Sequence, residues 1–366
     1  MSTPKAVPPS PSPDAARQDR DTLTALLRAA GPLPRELVAW LEQHPDDALA
    51  CDAWNLAATA QARLTALPPL VPVLQQVVSE SCGLSTLPWP LIWRLWLPLA
   101  LHTEAEWRAA GRPWVLGLLG PQGSGKSTLA DALVHLLAAR GRRAATVSID
   151  DFYLPLAERQ VLQAQDPRFR FRGPPGTHDL QALQQVLTAV HGKAPTLALP
   201  RFDKALHAGQ GDRIAPRTVA ELDVLVLEGW CVGLRPIDSA AFDHAPTPID
   251  SAADRAFARD CNGALAAYEA AWDQLDSLGM LALTDPDASR RWRRAAEDKL
   301  RAQGRGGMTP EAIDAFVAYF HRALHPALFY PALEQHPCGP SWVARFDADR
   351  TLTALVRGPR QDASGA

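Results

Sequence analysis

Three short stretches of this chain carry residues whose types and spacing can do chemistry. The first is GPQGSGKST, residues 120–128. Gly120, Gly123 and Gly125 let a backbone wrap closely around an anion and turn several N–H groups toward it. Lys126 supplies a charge that reaches the outer phosphates of a nucleoside triphosphate, and the Ser127 hydroxyl suits Mg²⁺. Ser124 and Thr128 complete the loop. The second stretch is SIDDFYLP, residues 148–155, where Asp150 and Asp151 stand side by side. Like charges so placed repel, and neither is buried cheaply without a partner. A carboxylate beside a bound triphosphate accepts the proton of an attacking alcohol. Asp150 is the candidate base; Asp151 either supports the waters of the metal or caps the segment that follows. The third is LDVLVLEG, ending in Glu228 and Gly229. A carboxylate at that strand end serves the metal or its waters.

These groups need elements to hold them. PWVLGLLG before the first stretch is a continuous apolar run, as a strand buried on both faces requires. STLADALVHLLAARG after it has helical periodicity, with Arg140 and Gly141 at its end. RAATVSID and LDVLVLEGW add two more apolar strands. Strand, helix, strand predicts a right-handed βαβ unit, and the whole predicts an α/β fold of the P-loop NTPase type: a parallel sheet flanked by helices, with ligands at the carboxyl ends of its strands. Residues 21–110 read as a helical N-terminal region, from the three- and four-residue spacing in DTLTALLRAA, RELVAWLEQH and PPLVPVLQQVVSESCG. The expected organisation is a disordered tail over 1–20, this helical region, a kinase-sized domain over 111–357 and a tail over 358–366. WVARFDADRTLTALVRG reads as a terminal β-hairpin around DADR.

Composition narrows the partners. A net charge of −3 and a pI near 6.4 over 366 residues give no footprint for nucleic acid. LPWPLIWRLWLPLAL, residues 87–101, is short for a membrane span and interrupted by Pro and Arg, so no membrane partner is expected. The first residues lack the apolar core of a signal peptide. The five cysteines are scattered without a CxxC pair, which points to a reducing cytoplasm rather than a disulfide framework or a zinc site. His321 and His325 have metal-pair spacing but no adjacent Glu and no third-ligand pattern. The oligomeric state is left open.

GPQGSGKST, SIDDFYLP, RGPPGTHDL, PRFDKALHAGQGDR, LEGWCVGL and WRRAAEDKLRAQGRGGMT follow one another in that order. Together they resemble the plant-type D-glycerate 3-kinase family, which stands with uridine kinase, pantothenate kinase and phosphoribulokinase among the P-loop metabolite kinases. The resemblance covers residues ~110–357 and implies transfer of phosphate from ATP, with Mg²⁺, to a small hydroxy acid, D-glycerate, giving 3-phosphoglycerate. It puts the base at Asp150 and the "EG" pair at Glu228 and Gly229. Phe202 and Ala205 depart from the family pattern, where Tyr and a small hydroxyl are common. A site for glycerate needs a cation for the carboxylate and polar groups for the hydroxyls. Arg172, Thr177, His178, Arg201, Asp203, Lys204 and Arg213 are the candidates, with Asp179 read instead as a helix cap. The basic run SRRWRRAAEDKLRAQGRGGM predicts a lid arginine over the transferring phosphoryl group; Arg293, beside Trp292 and flanked by Arg291 and Arg294, is the candidate. Two rival readings are another acceptor (a nucleoside, pantothenate or a sugar phosphate) and an ATP-dependent switch or assembly protein with no metabolite acceptor.

Overall fold

The computed structural model describes residues 13–50, 54, 59–285, 288–292, 294–295 and 309–360. It divides into two compact units, Met1–His102 and Thr103–Ala366.

The first unit is helical: α1 (Pro13–Ala29), α2 (Arg35–Gln43), α3 (Pro45–Leu49), α4 (Ala60–Ala66), α5 (Val71–Val77), α6 (Trp89–Leu91) and the start of α7 (Leu97–Ala110). Helix α1 begins inside the segment that composition reads as tail; a proline fits a first helical turn, whose N–H has no intrahelical partner anyway. The unit boundary falls within α7, ahead of residue 110. The tryptophan-rich stretch is helical and buried, with a π-turn at Ile92–Trp96 just before Pro98, which has no N–H to donate. Arg63 is buried there at a cost met locally: it stacks on Trp93 at 4.4 Å and donates to the carbonyls of Ala48, Ala50 and Trp93. Among the described residues no helix is long and apolar enough to cross a membrane.

The second unit is built on a six-stranded sheet. Its strands are β1 (Trp114–Leu119), β2 (Ala144–Ser148), β5 (Val224–Gly229), β6 (Ser277–Leu283), β7 (Trp342–Phe346) and β8 (Leu352–Arg357), in the order β2-β5-β1-β6-β7-β8. The first five are parallel, and β8 closes the edge by an antiparallel hairpin with β7 around residues 347–351, where DADR predicts it. Every residue of β1 and β5 is buried, as their unbroken apolar runs require. Helices α8 (Lys126–Ala139) and α10 (Leu180–His191) follow the lengths of their apolar patterns. Val115, Leu119, Leu225 and Leu227 share one buried cluster with Leu183 and Leu187 of α10 and with Phe257 of α11 (Ala252–Ala264). Successive strand residues point to opposite faces, so Leu116, Leu118, Val224 and Val226 face the side that α8 covers.

Two features differ from the sequence reading. Strand β5 lies between β1 and β2, so the phosphate loop and the DD pair flank Glu228 instead of adjoining directly. Around the PRFDKALHAGQGDR segment, to which the sequence reading assigns no strand, β3 (Thr196–Asp203) and β4 (Asp212–Ala220) form a separate antiparallel hairpin. Further helices are α9 (Leu156–Gln165), before the hairpin, then α12 (Glu269–Trp272), α13 (Pro310–Ala323) and α14 (Pro326–Gln335).

Candidate active site

From β1 the chain crosses by α8 to β2, on one side, and later from β5 to β6, on the other. The carboxyl ends of β1 and β5 therefore form a crevice where the winding direction reverses, the place where open α/β sheets bind ligands. The phosphate loop fills it. A Cβ at residue 120 would lie 2.6 Å from Ser124 Oγ, and Gly125 has φ +86°, so both positions require glycine. Gly125 ends the loop as the N-cap of α8 without a side-chain cap, which leaves the first N–H groups of that helix open to an anion. The Ser124 hydroxyl and the Gln122 carbonyl oxygen are buried, with no hydrogen-bond partner among the described residues. Buried polar atoms rarely go unpaired, so the loop is shaped for a ligand rich in acceptors and cations.

Glu228, 7% exposed, sits at the end of β5 between the other two groups. Its Oε1 accepts a 3.0 Å hydrogen bond from Ser127 Oγ, and its Oε2 lies 3.8 Å from Lys126 Nζ. Among the described residues that oxygen receives no hydrogen bond. A hydroxyl and a carboxylate oxygen converging at a phosphate loop are the hard oxygen donors that Mg²⁺ takes, so these residues fit the metal.

The DD pair divides its labour by geometry. Residues Ile149–Phe152 form one 3₁₀ turn. Asp151 folds back, accepting from the Ser148 amide at 3.0 Å in a capping box and from the Phe202 amide at 3.1 Å. Both of its oxygens are thus engaged by backbone, one of them tying β3 to the turn. The capping box shows the capping duty that the sequence reading weighed for Asp151. Asp150 points the other way, where Tyr153 donates to Oδ1 at 2.7 Å and Lys204 to Oδ2 at 2.6 Å. Burial alone would raise its pKa. The Lys204 ammonium, the hydrogen bonds from Lys204 and Tyr153 and the Lys126 charge outweigh burial and hold Asp150 below the ordinary carboxylate value. Asp151 lies above that value, from burial and from the neighbouring Asp150 charge.

These groups line one cleft of about 380 Å³, with Gln122, Lys126, Ser127, Asp150, Glu228, Arg172 and Lys204 on its walls. Arg172 makes no ion pair among the described residues; it donates to the carbonyls of Gly209 and Gln210. The other expected acceptor residues do not border this cleft. His178 is buried behind Tyr153, stacked at 4.8 Å between ring centroids, with Nδ1 at 2.7 Å from the Tyr268 hydroxyl; burial lowers its pKa to about 4, so it is neutral. Arg213 donates to the Tyr153 carbonyl and to Asp179, which caps α10 as expected. Asp203 accepts from the Ala205 amide, and Thr177 closes a turn on Pro174. Thr128 lies half-buried in the first turn of α8. Arg291 pairs with Asp285 and Arg294 with Asp314, while Arg293 lies outside the described residues.

The model of the methylmalonyl Co-A mutase-associated GTPase MeaB matches residues 102–153, the stretch that holds the phosphate loop and the DD pair. The uncharacterized kinase mug58 of Schizosaccharomyces pombe is 34% identical over 229 residues, which are 59% of this chain and 82% of that one. The chloroplastic D-glycerate 3-kinase of Arabidopsis thaliana is 32% identical over 260 residues, 67% of this chain. That match spans about half, 54%, of the Arabidopsis protein. A solved D-glycerate 3-kinase from Cryptococcus neoformans has a TM-score of 0.63 and 28% identity, over 70% of this chain and 96% of that one. The chain belongs to the D-glycerate 3-kinase family of P-loop kinases.

Within this glycerate 3-kinase frame, the sequence reading passed over several cleft residues. Tyr153 stands in the DDFY stretch itself, and a 3₁₀ turn brings position 153 back over position 150. Phe171, Trp230, Phe316 and Phe320 form an aromatic wall. Trp230 follows the EG pair directly, a visible signal; Phe316 and Phe320 come from α13, far along the chain, and nothing local marks them.

Proposed function

We propose that this protein transfers the γ-phosphoryl group of ATP to the 3-hydroxyl of D-glycerate. The observation that carries the reading is the single cleft in which phosphate-loop residues Lys126 and Ser127 and the Asp150, Arg172 and Lys204 group face the same space. Gly120, Gly123, Ser124, Gly125, Lys126, Ser127 and Thr128 would cradle the triphosphate. Ser127 and Glu228 would hold Mg²⁺, which when bound neutralises charge on the β- and γ-phosphates. The carboxylate of the acceptor pairs with Arg172 and Lys204, both cations at the cleft. Asp150, ionised and fixed by two donors, accepts the hydroxyl proton as the hydroxyl oxygen bonds to the γ-phosphorus and the bond to ADP breaks. The aromatic wall excludes water, which would otherwise compete as acceptor. Arg293 supplies lid charge to the transferring group in the same proposal, and the scattered cysteines support a cytoplasmic setting. Family membership and the printed activity of the Arabidopsis and Cryptococcus relatives support D-glycerate as acceptor.

The test is Asp150→Asn in the full chain. ATP affinity should stay within about twofold while acceptor-dependent ADP release falls by ~10²–10⁴. Near-native turnover would remove Asp150 from the role of base.

A further inference from the structure

Beside the catalytic cleft lies a second one of about 240 Å³, which shares Phe171, Arg172 and Gly209 with the first. Arg159 and Arg170 join Arg172 around it, with the amides of Gln160 and Gln163, and among the described residues no carboxylate lines it. The arginines converge. Arg159 and Arg172 donate to the same acceptor, the Gln210 carbonyl, at 3.0 and 2.9 Å, and each guanidinium lies 5.3 Å from the Phe202 ring centroid. Arg159 also donates to the carbonyls of Leu154 and Gly211. Among the described residues none of the three arginines forms an ion pair; Arg170 faces only the Tyr319 ring, at 5.9 Å. Asp212, whose charge Arg159 feels, accepts from the Leu156 and Arg213 amides at Oδ1, and its Oδ2 lies 3.4 Å from His207 Nε2. Three like charges thus meet around one cleft, balanced by carbonyl dipoles, the Phe202 and Tyr319 rings and, at Arg159, the charge of Asp212. Burial and the Arg172 charge accordingly lower the Arg159 pKa. An oxyanion offsets this repulsion and receives forked N–H donors that carbonyls do not fully use.

We propose that this second cleft binds a phosphate group, free or as a small monoester, between Arg159, Arg170 and Arg172. The binding stands on this geometry alone. Its consequence, a weaker hold of Arg172 on the acceptor carboxylate, rests on the reading given under the proposed function.

The experiment is calorimetric titration of the full chain with inorganic phosphate and, separately, glycerol 3-phosphate. Saturating Mg-ADP is present throughout, so that the phosphate loop is already filled. Saturable binding of either probe is expected, weakened about tenfold or more in both Gln163→Glu and Arg170→Gln. Both positions are exposed and neither borders the catalytic cleft, so turnover without added phosphate should be unchanged. Binding of both probes would identify the phosphate group alone as the ligand; binding of glycerol 3-phosphate only would identify the monoester. No heat from either probe, or binding that both variants leave intact, would overturn the proposal.

Discussion

Asp150 and Asp151 show how little residue type decides and how much one backbone turn does. The two are chemically identical neighbours, yet one caps a turn and anchors β3 while the other faces the cleft with Lys204 and Tyr153. The balance at Asp150 has a testable sign. Burial pushes its pKa up and Lys204, the main opposing cause, pulls it down, with a net result below the ordinary carboxylate value near 3.9. A base with a depressed pKa is ionised above that value and loses activity only as pH falls through it. The acid limb of kcat for the native protein should therefore lie below about pH 4. In Lys204→Met the burial effect stands with less opposition, so the acid limb should move toward neutral pH. A pH profile of kcat with saturating substrates reads this directly, and an unmoved limb would show that Lys204 does not set the charge state of Asp150.

At the scale of elements, the decisive piece is the β3–β4 hairpin. It carries Lys204 to Asp150, and its turn carbonyls hold Arg172 and Arg159. Asp151 is its anchor, through the Phe202 amide. Asp151→Ala removes two backbone hydrogen bonds at a half-buried site, which should cost about 1–3 kcal/mol in denaturant unfolding. The same change should speed proteolysis across residues 204–211. Stability and cleavage rate equal to the native protein would refute the anchoring role. The elements that were legible in the sequence are those with strong periodic or continuous apolar patterns. Strands β1, β2 and β5, helices α8 and α10, and the β7–β8 hairpin all follow their runs. The β3–β4 hairpin did not stand out, because β4 is mostly exposed and β3 alternates around Pro200, with a register shift between Leu199 and Arg201. The exposed β4 carries little core signal, and Pro200 with the register shift interrupts the alternation of β3, although its Leu197 and Leu199 reach the core. The first two turns of α1 were hidden for a related reason: residues 13–20 are polar and start in a proline-rich stretch, whereas DTLTALLRAA marked the rest of the helix.

The whole molecule adds what no local pattern contains, the order of the strands. Placing β5 between β1 and β2 puts Glu228 between the phosphate loop and Asp150, where it bonds to Ser127 and faces Lys126. The phosphate loop, the DD pair and the EG pair were readable from residue types because each carries its chemistry within a few positions. Which candidates for the acceptor side reach the cleft was not readable. Arg172 and Lys204 do, whereas His178 and Arg213 turn inward to support Tyr153, a choice made by tertiary packing between segments far apart in sequence. The aromatic wall from α13 depends on the same long-range packing. It narrows the cleft that the proposed function assigns to a three-carbon acid.

The most direct test of that assignment is to give the purified chain Mg-ATP with D-glycerate, L-glycerate, uridine, pantothenate or ribulose 5-phosphate in turn, following ADP release and identifying the product by mass and ³¹P NMR. The account predicts strong stimulation by D-glycerate, with the new phosphate on O3. Stimulation by a different acceptor alone, or ATP binding with no acceptor-dependent turnover, would contradict it.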